Sequence, residues 1–210
     1  MISLGNACRP AYYLRENNLR IASNPLDWMM RYSLETVIHL FKTQFSDFFS
    51  NVWEDISKYE NNKRRYVIDL DTNMIDMHLF PKNLSLEQGK IRHHDIMKRR
   101  YERMHNAMLC SNRILFISNR NEPIEQFKNF LLSICGIYHK EITYINIRNS
   151  EIESKSQIKF TKKLKFIEYS FRDIHKNGAQ KNENKDFWLG NVDKWNNIMQ
   201  TIELSGKIKP

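Results

Sequence analysis

Cys8 stands three residues after Gly5 in "SLGNACRP", and seven histidines are spread along the 210 residues: His39, His78, His93, His94, His105, His139 and His175. A thiol becomes a nucleophile when a base takes its proton or a positive potential favours the thiolate, so one cysteine and one histidine brought together could carry acyl transfer. The short apolar stretch Ile2 to Leu4 turns at Gly5-Asn6 into a helix, which sets Cys8 at a helix start. The unpaired N–H groups there favour negative charge on sulfur and could hold the oxyanion of an acyl transfer. The competing reading of this position is an inert cysteine packed into a tight strand-helix junction. Among the histidines, His39 falls inside a phenylalanine-rich helix, and His93, His94 and His105 belong to a basic one. His78, in "DMHLF", comes at the end of a predicted strand, where a regular element would position it. Asp27 in "NPLDW" or Asp173 in "FRDIH" could orient its imidazole, and spacing does not choose between them.

Other chemistries find less support. The three cysteines, Cys8, Cys110 and Cys135, are widely spaced, without the paired pattern of a zinc or dithiol site, and fit a reducing compartment. His93 and His94 diverge by about 100° on a helix and have no carboxylate or cysteine four residues on, so no metal site is expected. Neither glycine-rich phosphate-binding signature occurs among the six glycines, and no cofactor is implied.

The elements that must position Cys8 and His78 follow from periodicity. After the opening strand, turn and helix, Pro25 holds Asn24 extended, and Asp27 or Ser23 is the expected cap of a second helix. Leu34, Val37, Ile38, Phe41, Phe45 and Phe48 form the apolar stripe of that helix. Residues 65–80, "RYVIDLDTNMIDMHLF", read as a two-stranded hairpin around "DTN". A basic helix follows from about Leu86 to Leu109, with Met97, Tyr101, Met104 and Met108 on its apolar face. "RILFISN", "PIEQFKNFLLSIC" and "EITYINIR" make a strand-helix-strand unit whose strands should be parallel with a right-handed crossover. "LKFIEYSF" is a further strand, and Val192, Trp195, Met199 and Ile202 mark a closing helix. The expected architecture is a single α/β domain over residues 1–210, three-layered around a mainly parallel sheet, with a helix and hairpin inserted at about 27–110.

Composition sets the surroundings. With 41% hydrophobic and 12% aromatic residues, yet a mean hydropathy of −0.63, the chain should bury a real core under a polar surface. No stretch approaches the ~18 apolar residues of a membrane span and no signal-peptide pattern opens the chain, so a soluble, cytoplasmic protein is expected. A net charge of +9 and a pI near 9.4 favour anionic partners. Lys98, Arg99, Arg100 and Arg103 of the basic helix at 90–103, with Lys63, Arg64 and Arg65, could meet phosphates. That supplies the alternative function, a non-catalytic module for anionic ligands such as nucleic acid or a phosphorylated sugar.

The ordered landmarks "SLGNACRPAYYLR", "NPLDW", "MHLF", "KRRYERMHNAM" running into "RILFISNR", and "DFWLGNVDKW" resemble a bacterial family catalogued as putative papain-like cysteine peptidases, a domain of otherwise unknown function. The resemblance spans about residues 2–203. It implies a nucleophile at Cys8, an Asp-Trp pair at Asp27 and Trp28, and a histidine before phenylalanine at His78. The family often carries Asp or His after this histidine, where the present chain has Leu79. The expected site is then Cys8, His78 and Asp27 for catalysis on a peptide or other acyl substrate, with Asn6, Arg9, Trp28 and Trp188 as substrate contacts.

Overall fold

Neighbouring residues in the central strands face opposite ways, so that Phe116 and Tyr144 enter one apolar cluster while Ile117 and Ile145 enter another. A strand buried on both faces needs a layer of helices on each side. The computed structural model describes residues 1–5, 7–58, 64–180 and 184–202. In chain order it contains β1 (Ile2–Ser3), α1 (Arg9–Glu16), α2 (Leu34–Lys42), β2 (Val52–Glu54), β3 (Val67–Asp69), β4 (Ile75–Asp76), α3 (Leu86–Cys110), β5 (Arg113–Ser118), α4 (Ile124–Tyr138), β6 (Glu141–Asn149), β7 (Ser154–Lys159), β8 (Leu164–Phe171) and α5 (Val192–Gln200).

The main sheet has five strands in the order β1-β5-β6-β8-β7, and β2, β3 and β4 form a small second sheet. β1, β5, β6 and β8 are mutually parallel, and β7 pairs antiparallel with β8 at the edge. This is the expected mixed α/β fold with a mainly parallel sheet. The helices α2, α3 and α4 pack on the face carrying Phe116 and Tyr144, through Phe41, Met104 and Phe130 among others. On the other face, α1 and α5 contribute Tyr13, Leu14, Trp195 and Met199. Because the four parallel strands run the same way, the segments leaving β1, β5, β6 and β8 all emerge at the carboxyl end of the sheet. Cys8 follows the first of these strands and Asp173 the last.

Local structure departs from the expectation in four places. Ser33, not Asp27 or Ser23, caps the second helix, its hydroxyl accepting from Thr36 N. That helix stops at Lys42 because Gln44 and Phe45 take left-handed φ values of 55° and 60°, yet Phe45 and Phe48 still reach the core. The hairpin gains β2 as a third strand, and its last strand ends at Asp76, so His78 lies in a bend two residues past it. Finally, β7 reads "SKSQIK" with every residue exposed, an edge strand that carries no apolar alternation to betray it.

Candidate active site

The turn that presents Cys8 is built around a glycine. A Cβ on Gly5 would lie 2.4 Å from Pro10 Cγ and 2.8 Å from the Ala7 carbonyl oxygen, so only glycine lets β1 double back this tightly into α1. Arg120, fully buried, fixes the end of β1: its Nε donates to the Leu4 carbonyl at 2.7 Å and its Nη1 to the Tyr32 carbonyl at 2.7 Å. Cys8 is the residue before the first turn of α1, and its carbonyl accepts from Tyr12 N at 3.0 Å. Its side chain makes no capping hydrogen bond.

His78 arrives from the second sheet. Its Nε2 lies 3.6 Å from Cys8 Sγ, within hydrogen-bonding reach for sulfur, while the Trp28 carbonyl is 4.0 Å from the same sulfur. What holds His78 is Asp76, whose Oδ1 accepts the backbone N–H groups of His78 at 2.6 Å and Leu79 at 3.0 Å. One carboxylate oxygen thereby shapes the bend that delivers the imidazole. Its other oxygen lies 3.2 Å from His93 Nε2 of α3, an ion-pair separation without the alignment of a full hydrogen bond. Both side chains are shut away from solvent, and the His93 ring packs against Phe48, Phe49 and Phe80.

The electrostatics favour a neutral resting pair. Burial, and then the charge of Asp76, push the Cys8 thiol up to about 11, with a backbone N–H opposing them. Burial pushes the His78 imidazole below its ordinary value; Asp76 opposes this, and Arg100 and Arg64 reinforce it. For Asp76 itself burial works against the charge, yet His93 and the two backbone N–H groups hold its carboxyl below the usual range. The helix start does not offset these effects, since Pro10 in the first turn of α1 supplies no N–H to the positive end of the helix.

Asp27 does not reach His78. Its carboxylate accepts from Ser3 Oγ at 2.7 Å, Arg20 Nη1 at 2.9 Å and Asn24 N at 2.9 Å, which occupies it fully. Its place is nonetheless structural to the pair. Through Ser3 it ties the Asn24–Trp28 turn to β1, and just beyond that turn Met30 and Ile75 exchange backbone hydrogen bonds of 3.1 and 3.0 Å, tying the same segment to β4. Asp173 is equally distant in role: it pairs with Arg9 and accepts from Asn191 N at 2.9 Å and Trp195 Nε1 at 3.0 Å. Gly190, at φ +65°, would place any Cβ 2.1 Å from Asp173 Oδ1.

Of the expected substrate contacts, Arg9 is taken up by Asp173 and by the Trp188 carbonyl, to which its Nε donates at 2.6 Å. Trp188 packs edge-on against Tyr12 at 5.1 Å, closing the C-terminal segment onto α1. Trp28 does stand beside the pair, its ring 5.7 Å from that of His78, with the guanidinium groups of Arg20 and Arg15 at 5.7 and 5.8 Å from the indole. Asn6 and Lys63 lie outside the described residues. Sequence reasoning missed Asp76, His93 and Arg120. For Asp76 the Asp-x-His spacing was a usable signal, because an aspartate accepts N–H groups two and three residues on; the other two act across elements and leave no local mark.

No curated protein and no solved structure matches the chain. A family model does: the one described as Putative papain-like cysteine peptidase (DUF1796) matches residues 1–201. That span takes in β1, the Cys8 turn, the bend of His78 and the closing helix alike, and the chain therefore belongs to the putative papain-like cysteine peptidase family.

Proposed function

We propose that this protein is a thiol-dependent hydrolase of amide or ester bonds, with Cys8 as nucleophile and His78 as base. The observation that carries this reading is the 3.6 Å approach of His78 Nε2 to Cys8 Sγ, between residues 70 positions apart in the chain. With the thiol raised and the imidazole lowered, the resting centre is thiol and neutral imidazole, and His78 acts as a general base during attack. The sulfur forms its bond to the carbonyl carbon as its proton passes to His78 Nε2, giving a tetrahedral oxyanion. Backbone N–H groups of residues 7–9 are the donors available to it. Collapse breaks the bond to the leaving group, which takes the proton from His78 and leaves a thioester on Cys8. Water then attacks the thioester, delivering a proton to His78 and returning it to sulfur as the acid departs. Trp28 beside the pair forms a wall for the acyl chain, and Asp76 acts as a positioning residue. The three cysteines are free, which accords with a reducing, cytoplasmic setting.

The test is acyl-enzyme trapping. Incubation with a panel of peptide esters and thioesters, followed by quench and mass spectrometry, should place the acyl group on Cys8 in the wild type and nowhere in Cys8→Ala. His78→Ala should slow acylation by about a hundredfold or more. Acylation of Cys8 no faster than of Cys110, or indifferent to His78, overturns the reading.

A further inference from the structure

Arg100 presents an unusual cation. Its Nη1 is buried without a hydrogen-bond partner, and among the described residues no carboxylate forms an ion pair with Arg99, Arg100 or Arg103. These three arginines, with Ser23, Ile96 and Glu102, line one cavity of about 500 Å³ between α3 and the segment ahead of Asp27. The side chain is half-buried, and although the charges of Asp27 and Asp76 act on it, neither forms an ion pair with it; a buried N–H without an acceptor is costly, and an anion in the cavity is the group that satisfies it. The cavity and the Cys8–His78 pair are linked by one short segment: Ser23 lines the cavity, and Trp28, at the end of the turn that follows, has its carbonyl 4.0 Å from Cys8 Sγ and its ring 5.7 Å from that of His78. Arg100 is also near enough to act on the imidazole of His78.

We propose that this cavity is an anion subsite of the active centre, so that the acyl substrate carries a carboxylate or phosphate that pairs with Arg100 while its carbonyl meets Cys8. The proposal rests on the hydrolase reading for its second half. Arg99 and Arg103 raise the local anion concentration, and Arg100, with a planar fork of donors, fixes the group. The single carboxylate in the lining, Glu102, leaves the cavity with an excess of positive charge.

Two alkylating probes of nearly equal size separate the possibilities: iodoacetate, which is anionic, and iodoacetamide, which is neutral. Their rates at Cys8 and at the exposed Cys110 are read by mass spectrometry on the full chain. The ratio of iodoacetate to iodoacetamide rates should be about tenfold higher at Cys8 than at Cys110, and should fall to the Cys110 value in high salt, with inorganic phosphate as competitor, and in Arg100→Gln. Arg100→Lys should retain part of the excess. Equal ratios at the two cysteines of the wild type overturn the proposal, as does an excess that survives phosphate and salt; neither needs a variant to fold. The hydrolase reading is judged separately, by whether iodoacetamide labelling of Cys8 depends on His78.

Discussion

Replacing Asp76 by asparagine separates position from charge beside the Cys8–His78 pair. The amide oxygen can still accept the N–H groups of His78 and Leu79 that Asp76 Oδ1 holds at 2.6 and 3.0 Å, but the negative charge facing His93 is gone. With His93 protonated this breaks a buried ion pair, which costs about 3 kcal/mol, for a chain of this size a fall in melting temperature of roughly 6 to 12 °C. The effect on the thiol has the opposite sign from simple damage. Asp76 is the second largest influence raising Cys8, after burial, so its neutralisation brings the thiol down. At about pH 9 a thiol of that kind is about 1% thiolate, and any downward movement raises its alkylation rate in proportion. His78 loses a charge that had opposed its depression and becomes a weaker base. Asp76→Asn should therefore melt earlier, alkylate faster at Cys8 and turn substrate over more slowly. Thermal unfolding by circular dichroism and a pH series of iodoacetamide labelling measure the first two effects. A variant with wild-type melting and an unmoved Cys8 profile would refute the account of Asp76 given above.

Gly5→Ala should cost roughly 1 to 3 kcal/mol in a denaturant titration, because the new methyl would have to displace Pro10 at 2.4 Å, and should slow Cys8 alkylation as the turn shifts. Asp27→Asn should weaken the tie between Ser3 and the Trp28 turn, lowering acylation at Cys8 and its dependence on His78 although neither residue touches the substituted side chain; unchanged acylation would contradict the linkage. Asp173→Asn should free the C-terminal segment from Arg9 and Trp195, seen as faster limited proteolysis between residues 172 and 191. Stability should be greatest near neutral pH. Above the ordinary thiol range the unfolded chain ionises Cys8 while the fold keeps it protonated up to about 11, and below the ordinary imidazole value the unfolded chain protonates His78 before the fold does, so chemical denaturation midpoints should fall on both sides.

The helices and the buried strands were legible because their apolar residues recur at the period of the element. α3 carries Met97, Tyr101, Met104 and Met108 on one face, and β5 is a near-continuous apolar run. The Cys8 turn was legible for a related reason, since a short apolar strand, a glycine and a helix start follow one another within the first ten residues. Asp27 stood out by its neighbour Trp28 and the turn they share, but side-chain direction decides what a carboxylate reaches, and nothing local records that it faces Ser3 and Arg20. His93 read as one more residue of a basic helix, because its burial under Phe48, Phe49 and Phe80 comes from two other segments. The end of α2 was hidden because Phe45 and Phe48 keep helical spacing although Gln44 and Phe45 are left-handed.

Cys8 follows a strand of the main sheet and His78 a strand of the small one, and no strand pairing in either sheet brings them together. Their separation is set by the segment that leads through Asp27 and Trp28 to Met30. One end of it grips β1 through Ser3 and Asp27, and the other grips β4 through the Met30–Ile75 bridge. Arg120 adds a second hold on β1, joining the Leu4 carbonyl to Tyr32, which lies two residues past the same bridge. A carboxylate with its charge satisfied by Ser3, Arg20 and Asn24 is rigid in a way that an apolar contact is not, because rotating it would leave several buried donors unpaired. Asp27 thus serves the pair from a distance, as the strut that fixes how far Cys8 and His78 stand apart, while Asp76 sets the direction from which the imidazole arrives.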